Sequence, residues 1–522
     1  MSEQAAGTLP GLLARNTATH GVKPAIVADD GSVTHAELDE RSRLLARRLV
    51  GAGIGKSSRV GLVMPNGVGW AIVAAAVMRV GATLVPLSTL LRPPELAAAL
   101  RAAAVTDLIC VDTYRGRRYL DDLEEAAPGV LATTAADDRH PALPFLRHVW
   151  TPATLPTFPV SADLVAALEA VVRPADDLAI VFTSGSRGAP KGVIHTHGNA
   201  LRAVEAGLPS RRIGADDRVY IPMPFFWTGG FASGLLTVLV AGATLLTDAT
   251  SDPERTIELL EKERATLFRG WPDQAVKIAA HPRFADADLG SLRDASLPAV
   301  LPAARQPAPG ARPILFGMTE TFGPYCGDPL DRDLPRGKWG SCGRPFPGVE
   351  VRVVDPETGA TRPAGETGEI RLRGPNIMRG IRGRTRAETF DADGFYPSGD
   401  LGALDEDGYL WFHGRLDDMF KVAGATVYPA EVEAALRGID GVRQAFVAKI
   451  EDGARGYVVG AAVVATDTSP ERLAAAAAAR LSAFKVPKRW LVVPALDDVP
   501  MLATGKVDTP ALTRLLAERG GR

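Results

Sequence analysis

Residues 183–192 read T-S-G-S-R-G-A-P-K-G. Successive backbone N–H groups in a glycine-rich turn form a concavity that binds anions. Gly185 and Gly188 let a ligand approach the backbone, Thr183, Ser184 and Ser186 add hydroxyl donors, and Lys191 brings a positive charge to the loop's end. The chemistry is that of a phosphate cradle, although no G-K-[ST] opens a helix after it as in a Walker loop. In isolation the same S-G-S-x-G spacing describes a polar β-hairpin turn. Arg187 works both ways: its guanidinium attracts phosphate, while its bulk takes up space inside a tight cradle.

The loop has company. F-G-M-T-E-T (316–321), S-G-D-L (398–401), G-R-L-D-D-M-F-K (414–421), V-Y-P-A-E-V-E (427–433) and A-T-G-K-V-D (503–508) follow in that order. Together they resemble the adenylate-forming superfamily of acyl-CoA synthetases, peptide-synthetase adenylation domains and luciferases, over about residues 30 to 510. The resemblance implies an acid–thiol ligase. A carboxylic acid attacks the α-phosphate of ATP with Mg2+ present, giving an acyl-adenylate, and coenzyme A then displaces AMP. Positioning and charge stabilisation dominate such chemistry.

The same resemblance assigns roles. Thr183, Ser184, Gly185, Ser186, Arg187, Gly188 and Lys191 would wrap the phosphates. Thr319 would donate to the α-phosphate, and Glu320 would hold the metal, an oxygen ligand for a hard cation. Asp400 would accept the ribose hydroxyls and Arg415 would contact ribose or phosphate; the plainer alternative is a salt bridge between turns. Lys506 would bridge carboxylate and α-phosphate during adenylation, or be a solvated cation. Asp417 stands at the hinge position, where one backbone rotation would exchange Lys506 for the segment of Ala423 and Gly424 lining the CoA tunnel. Ala423 replaces the first of two glycines usual there. P-M-P-F-F-W-T-G-G-F (222–231) matches the acyl-pocket segment, so Phe225, Phe226, Trp227, Gly229, Gly230 and Gly317 would line an apolar pocket. The three aromatics equally suit a core.

Two departures bear on the first half-reaction. Arg187 replaces a small hydroxyl residue. Between S-L-R (291–293) and F-G-M-T-E-T, the G-G-A turn, helix and strand of the family give way to D-A-S-L-P-A-V-L-P-A-A-R-Q-P-A-P-G-A-R-P-I-L, too rich in proline for an intact helix. A complete ligase and a thiolation-only ligase using a preformed acyl-adenylate both follow. Transfer to a carrier protein and a non-catalytic acyl-adenylate binding protein are further alternatives.

The elements that must position these residues are legible as alternating units. Thr34 and Glu37 form a capping box before an amphipathic run that closes near Gly51 and Gly53. Apolar runs at 59–64, 82–87, 106–112 and 177–182 predict strands; those opening at Trp70 and Pro93 predict helices. This rhythm predicts an α/β fold: helix-covered, mostly parallel sheets, then a β-rich part after residue 340 and a small mobile α+β C-terminal domain. The expected domains are 1–414 and 415–522.

At 522 residues the chain exceeds one core, and a net charge of −2 gives no reason to expect nucleic acid. Three scattered cysteines form neither metal pattern nor disulfide framework. The N-terminus lacks a signal-peptide pattern and the longest apolar runs are too short to span a bilayer, so the expectation is a cytoplasmic protein without membrane insertion. Oligomeric state, including a homodimer, stays open.

Overall fold

The computed structural model describes residues 7–520 apart from 137, 156, 184–190, 250–251, 423–424, 453–455, 467, 482 and 503–506, and apart from the side chains of 421, 425, 426 and 456. The chain packs as two compact units, Met1–Val351 with Leu372–Tyr396, and Arg352–Arg371 with Pro397–Arg522.

After an N-terminal helix (Leu9–His20), the first unit continues with β1 (Pro24–Ala28), β2 (Gly31–Thr34) and α1 (His35–Gly51). Thr34 Oγ1 accepts the Glu37 amide and Glu37 returns the bond, the capping box expected there. Next come β3 (Arg59–Val63), α2 (Val68–Arg79), β4 (Thr83–Pro86), α3 (Pro93–Ala103), β5 (Asp107–Cys110) and β6 (His148–Trp150). β7 (Asp177–Thr183), β8 (Lys191–Thr196), α4 (His197–Ala206), β9 (Arg218–Tyr220), β10 (Thr244–Leu246) and β11 (Leu267–Phe268) follow.

Two sheets result. One has the order β11-β9-β10-β1-β2, parallel except for the β1–β2 hairpin. The other is seven-stranded; β7, β4, β3, β5 and β6 run parallel, and β8 lies antiparallel on β7. α2 is apolar on every side and buried throughout, as a helix enclosed by other elements must be. The expected mostly parallel, helix-covered fold is what forms.

Between Leu292 and Leu315 the structure contains no α-helix and no strand, only 3-10 turns at Pro298–Val300 and Ala303–Arg305. Proline blocks the helix, as expected. The segment instead lies along the edge of β11: the Leu297 amide donates to the Phe268 carbonyl at 3.1 Å and the Phe268 amide to Ser296 Oγ at 3.1 Å.

β12 (Phe316–Met318) and β13 (Gly323–Gly327) pair antiparallel around a 3-10 turn at Thr319–Thr321. In the second unit, β14 (Tyr396–Leu404), whose first residue belongs to the first unit, pairs antiparallel with β15 (Leu410–Arg415). The C-terminal part is α+β: Val442–Asp452 and Gly456–Ala465 form an antiparallel pair, Arg489–Val493 adds in parallel, and helices Pro429–Arg437, Pro470–Ala478 and Thr509–Arg519 accompany them. The units group β14 and β15 with this tail, whereas the expected division fell after Gly414.

Candidate active site

β7 and β8 place the ends of the glycine-rich loop side by side, with Thr183 opposite Lys191. Ser184, Gly185, Ser186, Arg187 and Gly188 lie outside the described residues, as do Ala423, Gly424 and Lys506. The strands on either side of the loop pair antiparallel.

In a strand, alternate residues share a face. Lys191 and His195 therefore point the same way from β8, and both reach the Thr319–Glu320 turn. Lys191 Nζ donates to Glu320 Oε1, and also to the Tyr396 hydroxyl at 2.7 Å. Tyr396 in turn donates to Glu320 Oε1 at 2.9 Å. Both donors fall on Oε1; Oε2 of the buried carboxylate has no partner among the described residues.

His195 is fully buried, which pushes its pKa down to about 4 and keeps it neutral. A carbonyl can only accept, so His195 Nε2–H donates to Thr319 O at 2.8 Å while Nδ1 takes a bond from Asn199 Nδ2 at 2.9 Å. The turn is braced further by Thr321 Oγ1, which donates to the Met318 and Gly323 carbonyls, and by the Met378 amide on the Glu320 carbonyl. Thr319 itself is half-buried.

In the second unit Asp400 faces Arg415 across the β14–β15 pair, with Nη1 to Oδ1 at 2.6 Å. Arg415 also donates to the Ser398 carbonyl at 3.0 Å. Burial disfavours the Arg415 charge, but Asp400 and its neighbours outweigh that and hold its pKa above the usual value. Asp417 lies exposed in the 3-10 turn Leu416–Asp418.

The acyl-pocket candidates separate by environment. Phe225 is fully buried, edge-on to Trp70 at 5.2 Å, and its amide is held by Asn66 Oδ1. Phe226 is 6 % exposed. Trp227 is half-buried between Phe226 (5.2 Å) and Trp271 (5.8 Å). Gly229 and Gly230 sit in a helical turn that continues as a π-helix, Phe231–Leu236, a form often found at functional sites. Gly317 is required by close packing, since a Cβ there would lie 2.2 Å from the Gly323 carbonyl oxygen. The loop leaves β9 at its carboxyl end, where ligands bind in open α/β sheets.

The AMP-binding enzyme profile matches residues 13–382, and the AMP-binding enzyme C-terminal domain matches 431–506. The chain belongs to this family. It is 33% identical to the Mycobacterium tuberculosis 3-[(3aS,4S,7aS)-7a-methyl-1,5-dioxo-octahydro-1H-inden-4-yl]propanoyl:CoA ligase, over 97% of this chain and 99% of that one. It is 34% identical to an Amycolatopsis feruloyl-CoA synthase, over 91% and 92%. The ATP-bound MatB structure from Rhodopseudomonas palustris superposes with a TM-score of 0.78 at 25% identity, covering 99% of both. The AMP-binding enzyme described here is an acid–thiol ligase that forms an acyl-CoA thioester through an acyl-adenylate, using ATP and CoA. Among the described residues no helix is long and apolar enough to cross a membrane.

Tyr396, His195 and Asn199 were not among the residues expected from sequence. Period-two alternation was the available signal: Tyr396 is two and four residues from Ser398 and Asp400, on the buried face of β14.

Proposed function

We propose that this ligase carries out both half-reactions, adenylation as well as thiolation. The observation that supports this most directly is Glu320: buried, fixed through Oε1 by Lys191 and Tyr396, with no partner on Oε2 among the described residues, where a cation would be held. A single protein carboxylate plus substrate phosphates is an ordinary magnesium site, and the oxygen chemistry fits. When bound, the metal would neutralise phosphate charge. Lys191 is a flexible point charge that can turn from Glu320 to an incoming phosphate. Thr319 would donate to the α-phosphate from a turn whose backbone His195 holds still. Asp400, oriented by Arg415, would accept the ribose hydroxyls.

Lys506 would offset charge as the acid attacks, and rotation at Asp417 would then replace it with the Ala423–Gly424 segment for thiolation. Such a rotation has to part Gly414 from the helix Pro429–Arg437, because a Cβ on Gly414 would lie only 3.1 Å from that of Ala430. Trp227, with Gly229, Gly230 and Gly317, would line the pocket for an apolar acyl group. Phe225 supports it from the core. Use of ATP and CoA favours a cytoplasmic setting.

Acid-dependent ATP–pyrophosphate exchange, run beside thioester formation from a synthetic acyl-adenylate, tests the reading. Both activities are expected. Thiolation without exchange would overturn it, and recovery of exchange in Arg187→Thr would then locate the fault in the loop rather than in residues 294–315.

A further inference from the structure

Arg211 ends the short helical turn Leu208–Arg211 and is only 3 % exposed. Its Nη1 donates to the Val204 carbonyl and to Thr237 Oγ1, both at 3.3 Å. Among the described residues it has no carboxylate partner, and burial alone brings its pKa down to about 10. Arg269 lies beside it, donating to the Arg211 carbonyl, with its own Nε buried and unpartnered. A buried guanidinium without an acid is costly unless something else supplies the acceptor.

The direction of Arg211 shows where that acceptor belongs. A Cβ on Gly323 would meet two atoms within 4 Å, Ser233 Oγ at 3.1 Å and Arg211 Nη2 at 3.7 Å. Nη2 makes no hydrogen bond among the described residues. Beside Gly323 (φ +111°), which has no side chain to intervene, a hydroxyl and a cation thus face the same point. That point adjoins the acyl-pocket candidates on two sides: Ser233 is one turn beyond Gly229 and Gly230, and Gly317 packs on the Gly323 carbonyl.

We propose that Arg211 and Ser233 form the far end of the acyl pocket and select acids whose tail carries an oxygen acceptor, a carboxylate or a ketone. The inference rests on the ligase reading for the identity of the pocket. The acid's own carboxylate reacts near Thr319; an apolar middle passes Trp227; the tail oxygen meets the guanidinium fork. Two parallel N–H bonds suit a carboxylate, one suits a ketone.

The test uses the full chain with octanoate, 7-oxooctanoate and octanedioate. Thioester formation is measured with ATP and CoA, and binding of each acid alone is measured by calorimetry. At least one oxygenated acid is expected to exceed octanoate about 10-fold in kcat/KM, and which one identifies the acceptor. Arg211→Lys and Ser233→Ala should each erode that preference, Arg211→Lys by about 10- to 100-fold, the oxygenated acids losing more than octanoate. Ser233→Ala serves if the arginine variant does not fold. Equal use of the three acids, or equal losses on all of them, would overturn the proposal while leaving the ligase intact. Arg211-dependent binding of an oxygenated acid without any thioester product would instead keep the subsite and overturn the catalytic reading.

Discussion

Glu320 and Asp400 are each 5 % exposed and each meets a cation, yet the two sites are built differently. Asp400 is locked in strand register opposite Arg415, whose planar fork also grips the Ser398 carbonyl. Glu320 sits on a turn and is met by a lysine and a phenol, both on one oxygen. An arginine bonded at two points is part of the scaffold. A lysine on a four-carbon stem can change partner without moving the backbone. On the proposed function the second unit would therefore hold its acid permanently, and the first would hold its acid until phosphate and metal arrive.

This contrast separates the half-reactions. In the proposed reaction Glu320 would serve only while pyrophosphate is leaving, whereas the ribose that Asp400 would bind is present in both steps. The largest expected effect is thus selective. Glu320→Gln keeps the shape, removes the charge, and should lower acid-dependent pyrophosphate exchange about 100- to 1,000-fold, the scale of lost transition-state electrostatics. Thioester formation from a synthetic acyl-adenylate should stay within about threefold. Equal losses in both assays would break the distinction between the two acids.

Asp400→Asn should give the complementary, smaller result. One charged acceptor is lost and Arg415 keeps its bond to Ser398, so exchange and thiolation should both fall about 10- to 100-fold. The KM for the acyl-adenylate should rise along with that for ATP. A loss confined to exchange would remove Asp400 from the shared part of the site.

How far the sequence anticipates these sites follows from the range of the forces involved. The capping box at Thr34 and the failure of a helix at 294–315 are local effects of hydroxyl, carboxylate and proline, and the structure has both. The β/α rhythm foretells helix-covered parallel sheets, but not that β11 forms the edge beside β9, which depends on long-range pairing. Aromatic spacing could not separate Phe225, enclosed with Trp70, from half-buried Trp227, because both fit a strand-to-helix loop. Arg211 carries no motif at all; its interest lies in what fails to surround it. Likewise Tyr396 stands just outside the S-G-D-L motif, and only the fold brings it across 76 residues to Glu320.

Tyr396 permits the finest test of the comparison. Its ring lies 5.2 Å from Lys191 Nζ and its hydroxyl joins Lys191 to Glu320. Tyr396→Phe leaves the ring and both charges in place and removes that bridge. If the hydroxyl keeps Glu320 oriented after Lys191 turns toward phosphate, exchange should drop about 3- to 10-fold, the worth of one hydrogen bond to a charged group partly compensated by water. The magnesium concentration giving half-maximal exchange should rise by a similar factor. Thiolation should not change, because on this reading Glu320 would have no task there. An unchanged magnesium requirement would mean that Lys191 and the braced Thr319–Thr321 turn orient the carboxylate unaided. Loss of thiolation as well would show that Tyr396 supports the fold at the end of β14 rather than the metal-binding acid.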